Sequence, residues 1–207
     1  MKLGILFVFA ALAAGLRAEA QIRTVRTDLD GHCRITVQVG ERRFVTVDPS
    51  GRFDRMEWRG RREYYDSFAN SCKQGKLKRL DGVEFDYYDS FDNRDKQGRI
   101  KRIGDVVFDY YDSFDDEIRR GRIKRIGTAT IDYYDRFDND AKCGKIKRIG
   151  SVGFDYYDTF APDFKCGRLA RIGGERFDYD AFDGEVRPVC GNPAFDEGGI
   201  RFRVRWP

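Results

Sequence analysis

The chain has a single histidine, His32, in 207 residues, and none of its five cysteines forms a CxxC pair. A structural zinc site of the usual Cys/His type is therefore not expected. No Ser, Cys or Thr stands in a recognisable nucleophile setting, and His32 beside Gly31 reads as a surface or turn residue rather than a base. Long apolar runs are nearly absent as well. The one present, Leu3 to Leu16, is shorter than the roughly 20 residues of a membrane-spanning helix. Charge of one sign is also lacking: 39 Lys+Arg stand against 35 Asp+Glu, a formal net charge of +4. An excess that small predicts no attraction to nucleic acid or membrane by itself.

What is present points two ways. Charged residues make up 36% of the chain and the mean hydropathy is −0.65, values that would suit disorder. Yet 17 Phe and 11 Tyr are too many for a solvated coil, so a folded domain is expected. Met1-Lys2, the apolar run and Ala18-Glu19-Ala20 match the charged start, apolar centre and small-x-small cleavage site of a secretory signal. The expectation is a signal peptide over 1–20, a mature chain from Gln21 with net charge +3, and a secreted or periplasmic protein. In an oxidising compartment Cys33, Cys72, Cys143, Cys166 and Cys190 are candidates for disulfides, and their odd number leaves at least one unpaired.

The dominant feature is an internal repeat. Gly75, Gly98, Gly121, Gly144 and Gly167 recur every 23 residues and open GKLKRL, GRIKRI, GRIKRI, GKIKRI and GRLARI. A second phrase follows: FDYYDSF at 85–91 and 108–114, IDYYDRF at 131–137, FDYYDTF at 154–160, and FDYDAF at 177–182. An earlier copy, one residue longer, starts at Gly51 and reaches REYYDSF at 62–68. Both phrases are rich in β-formers and punctuated by Gly, so each copy is predicted to be a β-hairpin. In one copy the strands fall at about 99–103 and 106–114, with a tight turn at Gly104-Asp105 and a long polar turn over 115–120.

The fold predicted is all-β, an antiparallel hairpin-repeat meander in one extended, twisted or curled sheet, with a β-solenoid as the alternative. Charge favours the meander. A solenoid would stack Lys78, Lys101, Lys124 and Lys147 in one column and Asp86, Asp109, Asp132 and Asp155 in another, and like charges directly opposite are unfavourable. In a meander Arg102 is expected to face Asp109, and Arg125 to face Asp132. Flanking the six hairpins of 51–184, an N-terminal capping hairpin is expected in 21–50. A long loop over 183–199 and a period-2 capping strand ending at Trp206 complete the chain. Cys72, Cys143 and Cys166 fall in long turns, which makes Cys143–Cys166 and Cys33–Cys72 candidate disulfides, with Cys166–Cys190 as a competitor.

The GRI/GRL phrase followed by an aromatic-Tyr-Asp phrase resembles the tyrosine–aspartate repeats of RHS and teneurin-type shells. It departs from them in that eight residues separate Asp112 from Gly121. The GKIKRIG and FDYYD phrases are more closely similar to a group of small secreted bacterial β-repeat proteins. That resemblance covers most of the mature chain and implies export and a β-repeat, without implying an activity.

Three functions are weighed. Pairs such as Asp109 and Asp112 have the composition of a general acid and base, but the pair recurs from copy to copy whereas an active site is singular. A non-catalytic module is therefore favoured, with an envelope-directed hydrolase or a self-associating matrix protein as alternatives. No cofactor is expected. The turns FDNRD, FDDE and FDND offer oxygens for calcium, yet none matches a calcium loop, and Asp and Asn suit turns on their own account. The candidate binding residues are the adjacent pairs Tyr87/Tyr88, Tyr110/Tyr111, Tyr133/Tyr134 and Tyr156/Tyr157, expected to form ladders for a cell-surface polysaccharide or another envelope component, not nucleic acid.

Overall fold

A computed structural model describes residues 22–183 and 185–206. The expected signal peptide lies outside the described residues. Among them the structure is all-β, and no helix is long and apolar enough to cross a membrane. The chain opens with β1 (Ile22–Asp28), β2 (Cys33–Val39), β3 (Arg43–Val47) and β4 (Phe53–Met56). The repeats supply β5 (Arg62–Tyr64), β6 (Leu77–Leu80), β7 (Val83–Tyr87), β8 (Ile100–Ile103), β9 (Val106–Tyr110) and β10 (Ile123–Ile126). They continue through β11 (Ala129–Tyr133), β12 (Ile146–Ile149), β13 (Val152–Tyr156), β14 (Leu169–Ile172) and β15 (Glu175–Arg176). Last come β16 (Asp178–Phe182), β17 (Glu185–Cys190), β18 (Ala194–Glu197) and β19 (Ile200–Arg205).

Strands β5 to β15 form one eleven-stranded sheet in sequential order, each antiparallel to the next. This is the hairpin meander, and the solenoid is excluded. The turn at Gly104-Asp105 stands as expected, with Ile103 opposite Val106. The second strand stops at Tyr110, short of Phe114, because the register slips at each Asp-Tyr step. There the aspartate accepts its neighbour's N–H, as Asp109 Oδ1 does from Tyr110 at 2.9 Å, and this bulge interrupts the regular ladder before backbone pairing resumes between Tyr111 and the Gly121–Arg122 segment.

One register expectation is corrected. Arg102 lies opposite Asp86 and Val107, and Arg125 opposite Asp109, so each arginine meets the aspartate of the preceding copy. The two-residue turn sets this, because it places Ile103 against Val106 and hence Arg102 against Val107.

The ends do more than cap the array. β18, β19, β1, β2, β3 and β4 join in a six-stranded sheet, with β19 parallel to β1. This sheet covers one face of the meander: the Phe53 and Phe85 rings lie 5.9 Å apart and the Phe154 and Phe202 rings 5.8 Å. A sheet with one apolar face needs such a second layer. The core lies between the sheets and takes Phe85, Phe108, Ile126, Ile131, Phe154 and Ile172 from the meander and Val25, Ile35, Val45 and Phe202 from the cover. The segment expected as a long loop over 183–199 contains β17 and β18; β17 pairs with β16 and β18 with β19.

Two turns of the cover seat on the long-turn end of the meander. Pro49 O accepts the Ile123 N–H at 2.8 Å, and Leu29 O accepts the Leu169 N–H at 2.7 Å. Gly51 has φ +80°, and a Cβ there would stand 2.3 Å from Tyr110 Oη. That hydroxyl is buried without a partner. Gly51→Ala is expected to destabilise by at least about 1–2 kcal/mol from left-handed backbone strain, with the clash added. Tyr110→Phe alone should be nearly neutral, because it removes an unpaired polar atom, and it should recover part of the Gly51→Ala loss. Urea midpoints of the two single variants and the double variant measure this.

The cysteines are all thiols. The pairings proposed for Cys33, Cys72, Cys143 and Cys166 are not formed, and Cys190 is also free. Neighbouring long turns are two strands apart, nearly 10 Å, which exceeds the Cα separation a disulfide tolerates. Cys33 is buried at the start of β2, and burial pushes its thiol up to about 12, which leaves it unreactive at neutral pH.

Candidate binding surface

The tyrosines are not the surface the sequence suggests. Tyr87, Tyr110, Tyr133 and Tyr156 point into the core, and Tyr88, Tyr111 and Tyr134 are also buried; Tyr157 is partly buried. The strand ends at the first tyrosine of each pair, so the second is no longer bound by strand alternation and folds over the next copy. Tyr88 packs edge-on to Tyr110 at 6.0 Å, and Tyr111 to Tyr133 and Tyr134 to Tyr156 likewise. Its hydroxyl donates across to the following hairpin: Tyr88 to Phe108 O at 2.9 Å, Tyr111 to Ile131 O at 3.0 Å, Tyr134 to Phe154 O at 2.9 Å and Tyr157 to Phe177 O at 3.0 Å. These rings bind copy to copy and leave no face for a ligand.

The repeated aspartates are likewise occupied. Lys73 binds Asp86 at 2.7 Å, Lys96 binds Asp109 at 2.9 Å, Arg119 meets Asp132 at 3.1 Å, and Lys142 binds Asp155 at 2.7 Å. Lys96 also reaches Asp112 at 3.2 Å. Burial works against ionisation of Asp109, but the Lys96 ammonium and the Tyr110 N–H outweigh it and hold the carboxyl below the usual range. Asp112 is lowered too, first by the Phe114 N–H. A pair held this firmly ionised offers no general acid near neutral pH. Asp109→Asn, which keeps an acceptor for Tyr110, is expected to cost about 1–2 kcal/mol at pH 7. The folded pKa is depressed, so the wild-type advantage is present above the ordinary value of about 4 and fades as pH falls through the folded value. Paired melts at pH 7 and pH 3 check both parts.

One carboxylate in each of the turns weighed for calcium is also paired. Asp92 accepts the Asp89 N–H at 2.8 Å and binds Lys101 at 3.3 Å, and Asp115 and Asp138 do the same with Lys124 and Lys147. His32 is exposed, with Nδ1 3.0 Å from Asp28 Oδ2.

The most exposed large apolar side chains form a row of phenylalanines, of which Phe137 carries the Arg136 guanidinium 4.9 Å from its ring centre. Phe68, Phe91, Phe114, Phe137 and Phe160 are 97%, 93%, 93%, 82% and 92% exposed. Each ends the second phrase of its copy, at the tip of the long turn. The turn itself is closed by internal hydrogen bonds. Asp89 Oδ1 accepts the Phe91 N–H at 2.9 Å while Asp89 O accepts the Asp92 N–H at 3.2 Å. The same side-chain cap forms at Asp66, Asp112, Asp135 and Asp158. Neighbouring turns are fastened laterally: Asn70 bonds the Ser90 N–H and hydroxyl, Asn139 those of Thr159, and Arg136 meets Asp116 at 3.6 Å. The five rings therefore stand on a fixed comb with a step of two strands, about 10 Å.

Sequence reasoning missed this row because the second strand is expected to run on to Phe114, which places the ring in the sheet and not at the turn tip. The signal was there in the Asp-Ser-Phe order, since Asp and Ser open a turn and place the next side chain at its tip. The comparisons with known proteins add nothing to the assignment: no family model matches the chain, and no curated protein or solved structure matches it at a significant level.

Proposed function

We propose that the protein is an exported, non-catalytic binding module of the cell envelope that holds an extended polysaccharide along its row of phenylalanines. The observation that carries the reading is the regular exposure of Phe68, Phe91, Phe114, Phe137 and Phe160. Folding requires the N–H at each position, which the aspartate caps, and not the ring. Repeated exposed apolar surface marks an interaction site. The faces of aromatic rings carry negative potential and attract the C–H groups on the flat side of a pyranose. The step of about 10 Å is close to the length of a disaccharide unit in an extended 4-linked pyranose chain, so successive rings would meet equivalent sugars. The charged start and cleavage pattern of residues 1–20 support export.

The test is retention of the protein on insoluble 4-linked glycans. Wild type is expected to be retained, and the Phe91→Ala/Phe114→Ala/Phe137→Ala variant to lose at least tenfold in affinity with an unchanged melting temperature. Retention undiminished in that variant would overturn the proposal, and so would a wild type that elutes as an oligomer and a triple variant that elutes as a monomer.

A further inference from the structure

Beside this row, at the rim where the two sheets meet, lies an open groove of about 850 Å³. Its wall comes from the Asp48–Gly51 turn, β4 and the long turns of two successive copies. Arg52, Lys76, Arg94, Arg99 and Arg120 line it, with Asp95 as the one carboxylate. That leaves an excess of four positive charges, equal to the formal charge of the whole chain. Elsewhere on the long turns Lys73, Lys96, Arg119 and Lys142 are paired with carboxylates, whereas Arg122 and Lys145 donate to the Gly144 and Gly167 carbonyls, in the same setting as Lys76. Among the described residues none of the five groove cations makes an ion pair.

Two of the five are held in place by uncharged partners. Arg99 donates from Nε to Asp95 O at 2.7 Å and from a terminal nitrogen to Ser50 O at 2.9 Å, and lies 5.5 Å from the centre of the Tyr110 ring. Lys76 donates to Gly98 O and lies 5.1 Å from the centre of the Tyr87 ring. Burial without a carboxylate pulls the Lys76 ammonium below the usual lysine value. Arg52, Arg94 and Arg120 are exposed, and their side chains have no hydrogen-bond partner among the described residues. Phe53, Leu77, Tyr87 and Ile100 give the groove an apolar lining between the cations.

The geometry points to a binding site for a short segment of an acidic polysaccharide, its carboxylate or sulfate groups on the arginines and its ring faces on the apolar lining. Arginine suits both oxyanions because its planar fork donates two parallel hydrogen bonds. The volume fits a ligand of a few sugar rings. A nucleic acid would need a longer basic track than one groove.

The site is separate from the phenylalanine row and is tested with soluble oligosaccharides. Titration calorimetry at low salt would use an oligogalacturonate hexamer, a sulfated heparin hexasaccharide, neutral cellohexaose and a single-stranded oligodeoxynucleotide. At least one acidic hexasaccharide is expected to bind, with an affinity that falls as salt rises, and the arm that binds identifies the oxyanion. Arg94→Ala/Arg120→Ala, which removes two side chains that hold nothing in the fold, is expected to weaken that binding about tenfold or more. Arg148→Ala, exposed on the open face of the meander, should leave it unchanged. Cellohexaose binding belongs to the phenylalanine row and is expected to be the same in wild type and the double variant. The inference is overturned if neither acidic hexasaccharide binds, if the double variant binds the acidic sugars like wild type, or if the oligonucleotide binds as tightly as they do.

Discussion

Phe108→Ala is expected to lower the free energy of unfolding by about 3–5 kcal/mol, and Phe114→Ala, six residues further on, by no more than about 0.5 kcal/mol. The two stand in the same copy of the repeat. Phe108 is fully buried in β9 beneath the cover sheet, and truncating it leaves a cavity as well as losing transfer energy. Phe114 is 93% exposed, and its backbone N–H is capped by Asp112 whatever the side chain. Chemical unfolding of both variants measures the difference. Equal losses would mean that the turn rings hold up the fold and are not a free surface.

Alkaline pH is expected to unfold the protein in one steep transition between about pH 10 and 12. Burial, with the carboxylate of Asp109 or Asp132 close by, pushes Tyr88 and Tyr111 up to about 12. Burial raises Tyr87, Tyr110, Tyr133 and Tyr156 further. A tyrosine in the unfolded chain ionises near 10. Because the folded values are raised, the stabilisation is complete below the unfolded value and is lost as pH rises towards the folded one. Each pH unit in that window removes about 1.4 kcal/mol per buried tyrosine, and a few such groups exceed the 5–15 kcal/mol that holds a domain of this kind. Lys73 and Lys96 act in the same direction, since burial is outweighed there by the bonds to Asp86 and Asp109 and their raised values favour the fold only while protonated. Tyrosinate absorbance and far-ultraviolet circular dichroism should change together. A shallow titration centred near 10 with the dichroism intact would show that the tyrosines are solvated.

The hairpin meander was legible because two signals agreed. The 23-residue recurrence of Gly fixed the copies, and the like-charge columns of a stacked solenoid weighed against that alternative, which the sequential antiparallel order then excludes. The cover sheet was harder to read. Its strands come from both ends of the chain, and nothing local in CRITVQV or IRFRVR says that β19 runs parallel to β1. The tyrosine pairs misled for a related reason. Strand alternation would send Tyr110 and Tyr111 to opposite faces, but the strand ends between them and Tyr111 folds onto the next hairpin. The phenylalanine row and the basic groove depend on which side chains are left unpartnered once the others have paired. Lys76 and Lys73 look alike in sequence, yet only Lys73 lies within reach of an aspartate.

The central claim is that the repeat presents a comb of rings whose step matches an extended glycan, and binding isotherms on particulate glycans of different linkage test it most directly. Cellulose or chitin, extended and 4-linked, is expected to bind wild type, with affinity falling stepwise as Phe91, Phe114 and Phe137 are replaced one after another by alanine. A 3-linked glucan, whose chain coils out of step with the comb, is expected to bind at least tenfold more weakly. Equal binding to both linkages, or affinity indifferent to the number of rings, would contradict the account.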